Sequence, residues 1–443
     1  MNPLPITLAD MKNNAGGVVA VILLIAIAVA LGVGISAQER AVRDGGNVAA
    51  DPFDLIVGAP GSQTQLLLSS VYLQPGSLDL MPGELLQEIA ATEGVRYAAP
   101  IGFGDNYQGR PIVGTIEEFV TLDGTAPLAE GRIFTAVFEA VVGIDVDLAI
   151  GDRFIPAHGQ IEAAEEGDAH EQNEYEVVGR FARRYSPWDD AILVPIESVW
   201  YVHGLGTGHE TIRSFADEVE ILSDDRGAAS AGGAGTEDTT DRTGEKPYSA
   251  LDEINLGHPF ESPQLPGVPA IAVKPDSIRD AYVIRSRYRN DPHTNAIFPA
   301  EVLIELYALL GDATTILSVV AVATQILVVG AVLLAVFAAL QQKRKALGVL
   351  RALGAPRIYI FLSVWIHIVA MVTIGSVTGL FLGWGVAGLL SRIIGGETGL
   401  VLPVTLTGQE VVLVLVLISV GMLLASIPSL KVYRQSVSDV LRS

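Results

Sequence analysis

Four long uncharged runs constrain this chain more than any other feature of its sequence. The shortest has 20 residues, and about 20 mostly apolar residues in a helix are enough to cross a bilayer. The runs are Asn13–Gln38, Ala313–Gln342, Ile358–Ser391 and Val411–Leu430. A fifth uncharged run, Leu55–Leu78, contains Gly, Ser and Gln residues that would leave polar groups unpaired in lipid. We therefore predict four transmembrane helices.

The composition fits a membrane protein with an acidic, water-exposed part. Half of the 443 residues are hydrophobic and the mean hydropathy is +0.42, yet the chain carries 50 acidic and only 28 basic residues. The apolar and acidic residues must therefore lie in different regions. The net charge of −22 argues against a nucleic acid partner, because phosphate binding needs a basic face. Without cysteine, the chain can form neither disulfides nor thiolate metal sites.

The distribution of basic residues predicts the orientation of the spans. Residues 1–14, 343–357 and 431–443 together hold nine basic and two acidic residues, a net charge of +7, which leaves −29 for the rest of the chain. Lysine and arginine flank spans on the cytoplasmic side. We therefore expect both termini and the 343–357 loop in the cytoplasm, and the acidic residues 38–312 outside it.

These observations predict a membrane protein with four transmembrane α-helices and a large α+β extracytoplasmic domain between spans 1 and 2. A signal peptide is the alternative for the first run, with GIS before Ala37 as a cleavage site, but the run is long and only Lys12 precedes it. The predicted boundaries are a cytoplasmic amphipathic helix at 1–14, a span at 15–37, the extracytoplasmic domain at 38–312, a span at 313–342, a cytoplasmic coupling helix at 343–357, a span at 358–390, an outer loop at 391–410, a span at 411–430 and a cytoplasmic tail at 431–443.

The predicted extracytoplasmic domain mixes strands and helices. EYEVVGRFAR (174–183) and DDAILVPIES (189–198) are typical of short strands, and PGELLQEIAATEGV (82–95) has helical apolar spacing at Leu85, Ile89 and Ala90. Two further segments have their own predictions. Residues 224–248 are rich in Gly, Ala, Thr and Asp and predict a disordered insertion, while residues 299–312 predict a stalk helix that leads into the second span.

Two segments raise the question of nucleotide or metal binding. VGAPGSQTQ (57–65) lacks the Gly-Lys-Ser/Thr ending of a phosphate loop and predicts a strand-to-helix turn; no Walker motif occurs elsewhere, so any ATP hydrolysis belongs to another chain. The acidic loop 158–171 combines histidine with carboxylates, which suits a divalent metal, but its spacing matches no fixed motif and an ordinary solvated loop is the alternative. The candidate ligands are His158, Glu166, Asp168 and His170.

The third uncharged run carries two features of its own. Gly375, Gly379 and Gly383 form a small-residue ridge that allows another helix to approach closely, either within the chain or across a dimer seam. His367 is a polar group inside a predicted span. It is expected either to face other helices or water, or to lie near the headgroups.

The stretch KRKALGVLRALGAPR (343–357) predicts a short amphipathic helix directly after the second span. Its three leucines recur at i, i+3 and i+6 and share one face, and Gly354 followed by Pro356 ends the helix. Attachment to anionic lipid is the simpler interpretation of its charges. The residues concerned are Lys343, Arg344, Lys345, Leu347, Leu350, Arg351, Leu353 and Gly354.

At this stretch the sequence resembles FtsX-like and MacB-like ABC transporter permeases. In that family the helix after the second span ends in a Leu-Arg-Ala-Leu-Gly pattern, which here is 350–354. The ending ASIPSLKVYRQSVSDVLRS (425–443), in which Pro428 would close the fourth span, and ITLADMKNN (6–14) also resemble the family. The resemblance extends to the layout of four spans around one large domain, whereas the insertion at 224–248 departs from it.

The resemblance implies a permease subunit in a bacterial inner membrane, in contact with lipid and without an ATPase motif or cofactor of its own. ATP and Mg²⁺ would belong to a separate ABC ATP-binding subunit on which the 343–354 helix docks. The permease would form a homodimer, work with a periplasmic partner protein, and export or extract an envelope substrate such as a lipoprotein, peptide or hydrophobic compound. The alternatives are a non-transporting relay that activates an envelope hydrolase and a metal-linked sensor based on the 158–171 loop.

Overall fold

The residues that the computed structural model describes form five segments and a few isolated positions: 3–158, 174–205, 256–260, 264–308 and 354–433, with 208, 262 and scattered positions between 315 and 330. The chain divides into two compact units. The helical unit comprises residues 1–45, 307–397 and 401–443, and the α+β unit comprises residues 46–306 and 398–400.

The described elements include both helices and strands through the first two thirds of the chain. In chain order they are α1 (Leu4–Asn13), α2 (Ala15–Ala50), β1 (Leu55–Gly58), α3 (Gln63–Tyr72), α4 (Glu84–Ala90), β2 (Val95–Tyr107), β3 (Arg110–Thr115), α5 (Glu117–Val120), β4 (Leu128–Gly131), β5 (Glu139–Val142), β6 (Arg153–Phe154), β7 (Ala157–His158), β8 (Tyr175–Phe181), β9 (Ile192–Pro195), α6 (Ile196–Val202), β10 (Ala270–Pro275), α7 (Ile278–Arg289), β11 (Asn295–Ile297), α8 (299–308), α9 (Arg357–Thr398) and α10 (Gly408–Tyr433).

Three helices among the described residues are long and apolar enough to cross a membrane, namely α2, α9 and α10. They correspond to the first, third and fourth predicted spans. The second predicted span, 313–342, lies mostly outside the described residues. Where single positions of it are described, large apolar side chains such as Ile326 and Leu327 are exposed.

These helices are longer than the predicted spans, and the positions at which the spans enter and leave the membrane stay a prediction. Helix α2 continues from the predicted end at residue 37 to Ala50, and α9 takes in residues 391–398 of the predicted outer loop. Helix α10 covers Gly408–Tyr433 and so continues through Pro428. The predicted ends followed charge, which is costly in lipid. Charge does not end a helix in water, where Ala, Arg, Gln and Glu are good helix formers.

Among the described residues of the helical unit, α2, α9 and α10 share an apolar core. Their other faces expose large apolar side chains such as Leu23, Phe381 and Leu423, as expected of surfaces that meet lipid. The buried members of the core are Val18, Ile25, Val29, Val33, Val364, Ile368, Met371, Val414 and Ala425.

The α+β unit is built on a mixed sheet, in agreement with the predicted class. The strand order is β11-β1-β10-β2-β3-β9-β5-β8-β4, with β6 paired to β8 and β7 paired to β2. The β3–β9 and β5–β8 pairs are parallel, and the remaining pairs are antiparallel. The aromatic rings of Phe53, Phe119 and Trp188 pack together, with centroids 5.0–5.8 Å apart. The Trp188 indole also donates a hydrogen bond to the Val71 carbonyl oxygen at 2.9 Å.

The strand and helix predictions for this unit hold in part. Strand β8 is confirmed, and β1 leads into α3 through the predicted turn, where the Ser62 side chain caps the helix. Strand β9 is shorter than predicted because α6 begins at Ile196. Helix α4 buries Leu86 and Ile89 instead of Leu85 and Ala90. The predicted stalk helix is described as far as residue 308, and the insertion at 224–248 lies outside the described residues.

Candidate functional site

The end of the predicted coupling helix is the only part of it within the described residues. Gly354 has a φ of 95°, the left-handed conformation that commonly follows the last turn of a helix and that glycine adopts without strain. Helix α9 begins three residues later at Arg357. The other candidate coupling residues, from Lys343 to Leu353, lie outside the described residues, so their role stays a prediction.

The glycine ridge of α9 lies against α2 of the same chain. A Cβ atom at Gly375, Gly379 or Gly383 would come within 2.6–2.8 Å of an α2 atom, closer than real Cβ contacts. The ridge therefore allows the two helix backbones to touch, as small residues do in membrane helix packing. A dimer seam, which the spacing also allowed, would need another surface. The nearest α2 atoms belong to Ile25, Ala26 and Ala30.

His367 contacts the helix that precedes the first span. Its Nδ1 lies 3.5 Å from a carboxylate oxygen of Asp10 in α1, and the two side chains are 19% and 38% exposed. One turn away, the Thr7 hydroxyl is 3.3 Å from the Ser363 hydroxyl. The structure thus shows His367 against another helix, and because that helix is the predicted cytoplasmic entry helix, the contact agrees with either of the two predicted environments. The sequence marked His367 but not its partner.

A second polar contact, missed by the sequence analysis, joins α2 to the start of α10. The Arg40 guanidinium forms an ion pair with Glu410 Oε1. The other oxygen, Oε2, accepts hydrogen bonds from the backbone N–H of Thr407 at 2.9 Å and from its hydroxyl at 2.6 Å. The Glu410 side chain is 2% exposed and that of Arg40 is 24% exposed. One buried carboxylate thus both caps α10 and holds α2.

Further contacts surround this pair on the same stretch of α2. The Ser391 hydroxyl of α9 donates to the Gln38 side-chain carbonyl oxygen at 3.3 Å. The set Gln38, Arg40, Ser391, Thr407 and Glu410 is called the polar joint below. It brings together α2, α9 and α10 immediately after the first uncharged run and immediately before the last one.

Part of the polar joint has a readable sequence signal. Thr407 and Glu410 form the Thr-x-x-Glu pattern of a capping box directly before an apolar run, and the structure shows the predicted bond from the Thr407 N–H to the Glu410 carboxylate, with the Thr407 hydroxyl donating to the same oxygen. The partner of Glu410 has no such signal, because Arg40 is 370 residues away in the chain. In the sequence, Arg40 is marked only by its position two residues after the first uncharged run.

The metal candidates are not brought together within the described residues. His158 lies in β7, in register with Asp105 of β2. Glu166, Asp168 and His170 lie outside the described residues. In the part of the chain that the structure describes, no three His, Cys, Asp or Glu side chains are grouped so as to hold a metal ion. Metal binding by the 158–171 loop therefore stays a prediction.

A buried polar network in the α+β unit is structural. Burial raises the pKa of Asp189, whose carboxylate accepts hydrogen bonds of 2.7 Å from the backbone N–H groups of Arg184 and Tyr185. Burial lowers the pKa of Arg184 to about 10, and its guanidinium donates to the Val120 carbonyl oxygen. Since these bonds run to the backbone, the network fixes a chain reversal and presents no nucleophile.

Two solved structures are similar to this chain at low identity. The periplasmic region of MacB from Actinobacillus actinomycetemcomitans is 7% identical, covers 58% of this chain and 94% of its own, and has a TM-score of 0.31. The extracellular domain of the noncanonic ABC-type transporter YknZ from Gram-positive bacteria is 10% identical, covers 55% and 98%, and has a TM-score of 0.25. TM-scores this low carry no conclusion about fold or function. A search of curated proteins gave no match.

The C-terminal part of the chain matches a known family. Residues 318–437 fit the model of the FtsX-like permease C-terminal domain. This region contains the stretch 343–361 on which the sequence resemblance rested, together with α9 and α10, two helices long and apolar enough to cross a membrane. The resemblance is therefore confirmed over residues 318–437, which match the C-terminal domain of the FtsX-like permeases.

Proposed function

We propose that this chain is the permease component of an ABC-type transporter whose ATP is hydrolysed by a separate subunit. The observation that carries the proposal is the match of residues 318–437 to the FtsX-like permease C-terminal domain. Three helices long and apolar enough to cross a membrane support it. The chain has no Walker motif, so an ATPase subunit would have to be another chain.

In this proposal the segment 343–354 is the contact with the ATPase subunit. Leu347, Leu350 and Leu353 would occupy an apolar groove on that subunit, while Arg351 and the basic residues 343–345 would add polar contacts. The left-handed Gly354 supports a helix that stops there before α9 begins. Amphipathic helices that lay one apolar face into a groove are a common mode of recognition.

The proposed setting is the inner membrane of a bacterium, with the α+β unit outside the cytoplasm. The positive charge of residues 1–14, 343–357 and 431–443 favours a cytoplasmic location for these segments. Movements driven by ATP would then reach the α+β unit and act on an envelope substrate such as a lipoprotein, a peptide or a hydrophobic compound. A homodimer of permeases and a periplasmic partner protein belong to the same proposal.

The coupling contact can be tested with a single substitution. Leu350→Asp places a charge on the apolar face of the helix and should reduce ATPase stimulation by the permease to the rate of the ATPase subunit alone. Leu350→Met keeps an apolar side chain of similar volume and should retain stimulation. The measurement is ATP hydrolysis by the reconstituted complex, with membrane insertion of each variant checked in parallel. Full stimulation by an inserted Leu350→Asp variant would exclude docking through this face.

A further inference from the structure

The polar joint places two opposite charges at the ends of two different apolar runs. Arg40 follows the first uncharged run by two residues, and Glu410 directly precedes the last one. Positions at the ends of spans usually carry charges that reach water or headgroups. Here the two side chains meet each other instead, and Glu410 is almost fully buried at 2% exposure.

The burial of this carboxylate restricts how α2 and α10 can move relative to each other. A buried charge is tolerated when it is paired and hydrogen-bonded, and it becomes strongly unfavourable when its partner leaves. Separating α2 from the start of α10 would leave Glu410 buried without its cation. The ion pair therefore opposes any movement that draws these two helices apart.

A second contact holds the same stretch of α2 just beyond the pair. A Cβ atom at Gly45 would lie 2.6 Å from the Val401 carbonyl oxygen and 3.0 Å from the Leu402 side chain, so α2 also touches the segment that leads into α10. Together with the bond between Gln38 and Ser391, these contacts hold α2 at successive positions from residue 38 to residue 45.

The neighbouring arginine shows that this arrangement is specific to Arg40. Arg43 pairs with Glu39 at 3.1 Å within the same helix, and both side chains are considerably exposed. An exposed pair of this kind contributes little, and the Arg43 guanidinium otherwise lies over the Tyr307 ring, 5.3 Å from its centroid, so neither contact ties α2 to α10. Arg43 is therefore a matched control for Arg40.

We propose that the Arg40–Glu410 ion pair is a positioning device that makes α2 and α10 move as one body. The part of this proposal that concerns motion in the ATP cycle rests on the proposed permease function. The positioning itself does not, since it follows from the burial and pairing of the two side chains. The pair would thus link α2 to the family-matched region 318–437 within the helical unit.

Four variants distinguish the effect of the ion pair on helix position from the effect of the helix cap. Glu410→Gln removes the charge but keeps an acceptor for Thr407, because glutamine also serves at this position of a capping box. Thr407→Val removes one bond of the cap and leaves the ion pair. Arg40→Met leaves the carboxylate buried and unpaired, and the double variant Arg40→Met/Glu410→Gln removes both charges.

The positioning can be measured without ATP because the chain contains no cysteine. Cysteines introduced at the exposed Leu31 of α2 and Val412 of α10 take spin labels, and electron paramagnetic resonance reports their distance distribution. The full-length protein is measured in lipid nanodiscs after dilution with unlabelled chain. Arg40→Met should lower the population at the wild-type distance about tenfold or more, while Arg43→Met should leave it unchanged.

The double variant Arg40→Met/Glu410→Gln and the variant Thr407→Val show whether an effect of Arg40→Met comes from loss of the ion pair or from general destabilisation of the helical unit. Removing both charges should recover much of the wild-type distance relative to Arg40→Met, which is the non-additivity expected of a pair. A wild-type distribution for Arg40→Met would overturn the proposal. So would an effect of Thr407→Val as large as that of Arg40→Met, because the cap would then position α10.

A second measurement distinguishes failure of this proposal from failure of the proposed function. The same distance is recorded with the ATPase subunit, with and without ATP and vanadate, and the ratio of stimulated to basal ATP hydrolysis is taken for each variant. Arg40→Met should lower that ratio while the charge-free double variant restores it. If Arg40→Met shifts the distance but no ATPase subunit responds to the wild-type permease, the joint stands and the proposed function fails.

Discussion

Two carboxylates, one in each unit, are held by the same combination of bonds. Glu410 binds the Arg40 guanidinium and the backbone N–H of Thr407, three residues earlier. Glu139 at the start of β5 binds the Arg132 guanidinium and the backbone N–H of Thr135, four residues earlier, at 2.7 Å. In both cases a single side chain completes a local turn and holds a more distant arginine.

Glu139 leads to a prediction about pH. Burial alone would raise the pKa of its carboxyl, but the bonds from Arg132 and from the backbone outweigh burial and hold the pKa below its ordinary value of 4.5. A carboxyl whose pKa is lowered by folding stabilises the folded state above its ordinary pKa, and this stabilisation is lost as the pH falls through the folded value. Glu139→Gln should therefore destabilise the turn between β4 and β5 by about 1–2 kcal/mol at pH 7.

Hydrogen exchange of peptides from residues 128–142 measures this effect locally. Exchange in the variant should be faster than in the wild type at pH 7, and the difference should shrink as the pH is lowered below 4.5. Equal protection of the two proteins at pH 7, or a difference that grows towards acid, would contradict this explanation of the Glu139 bonds.

At the scale of elements, the glycines of α9 give a matched comparison within one helix. Gly379→Ala adds a Cβ that would lie 2.6 Å from the Ala26 carbonyl oxygen, whereas Gly385 has no atom within 4 Å of the same addition. Overpacking of this kind costs about 1–3 kcal/mol, so Gly379→Ala should destabilise the helical unit by that amount. Gly385→Ala should be neutral or stabilising, because alanine is the better helix former.

Unfolding of the purified protein in detergent, followed by heat or denaturant, measures both variants under the same conditions. A loss of stability for Gly385→Ala equal to that for Gly379→Ala would show that the ridge has no special packing role.

The same elements show what could be predicted from sequence and why. The spacing of Gly375, Gly379 and Gly383 predicts that some helix approaches α9, but it carries no information on which helix does so. Apolar length located α2, α9 and α10, because lipid selects for it. The helices continue past the predicted span ends because charge marks the edge of the lipid and not the end of a helix. The pairing of Arg40 with Glu410 was beyond prediction, since it depends on the tertiary placement of residues 370 positions apart.

At the scale of the whole molecule, the described residues and the family match overlap in α9 and α10 and otherwise concern different parts of the chain. The structure describes the sheet of the α+β unit, three of the four predicted spans and the polar joint. The match to FtsX-like permeases covers residues 318–437 and so includes the predicted coupling helix, which lies mostly outside the described residues. The sequence itself contains no Walker motif, which is why the proposed function assigns ATP hydrolysis to a separate subunit.

The most direct test of the central claim is to identify what the chain binds in its own membrane. The tagged protein would be purified from native membranes in mild detergent, with and without crosslinking, and its partners identified by mass spectrometry. We expect a soluble chain with a Walker motif in an amount equal to the permease, and its loss from the Leu350→Asp variant but not from Leu350→Met. Recovery of the protein without any ATPase subunit, even after crosslinking, would contradict the proposed function.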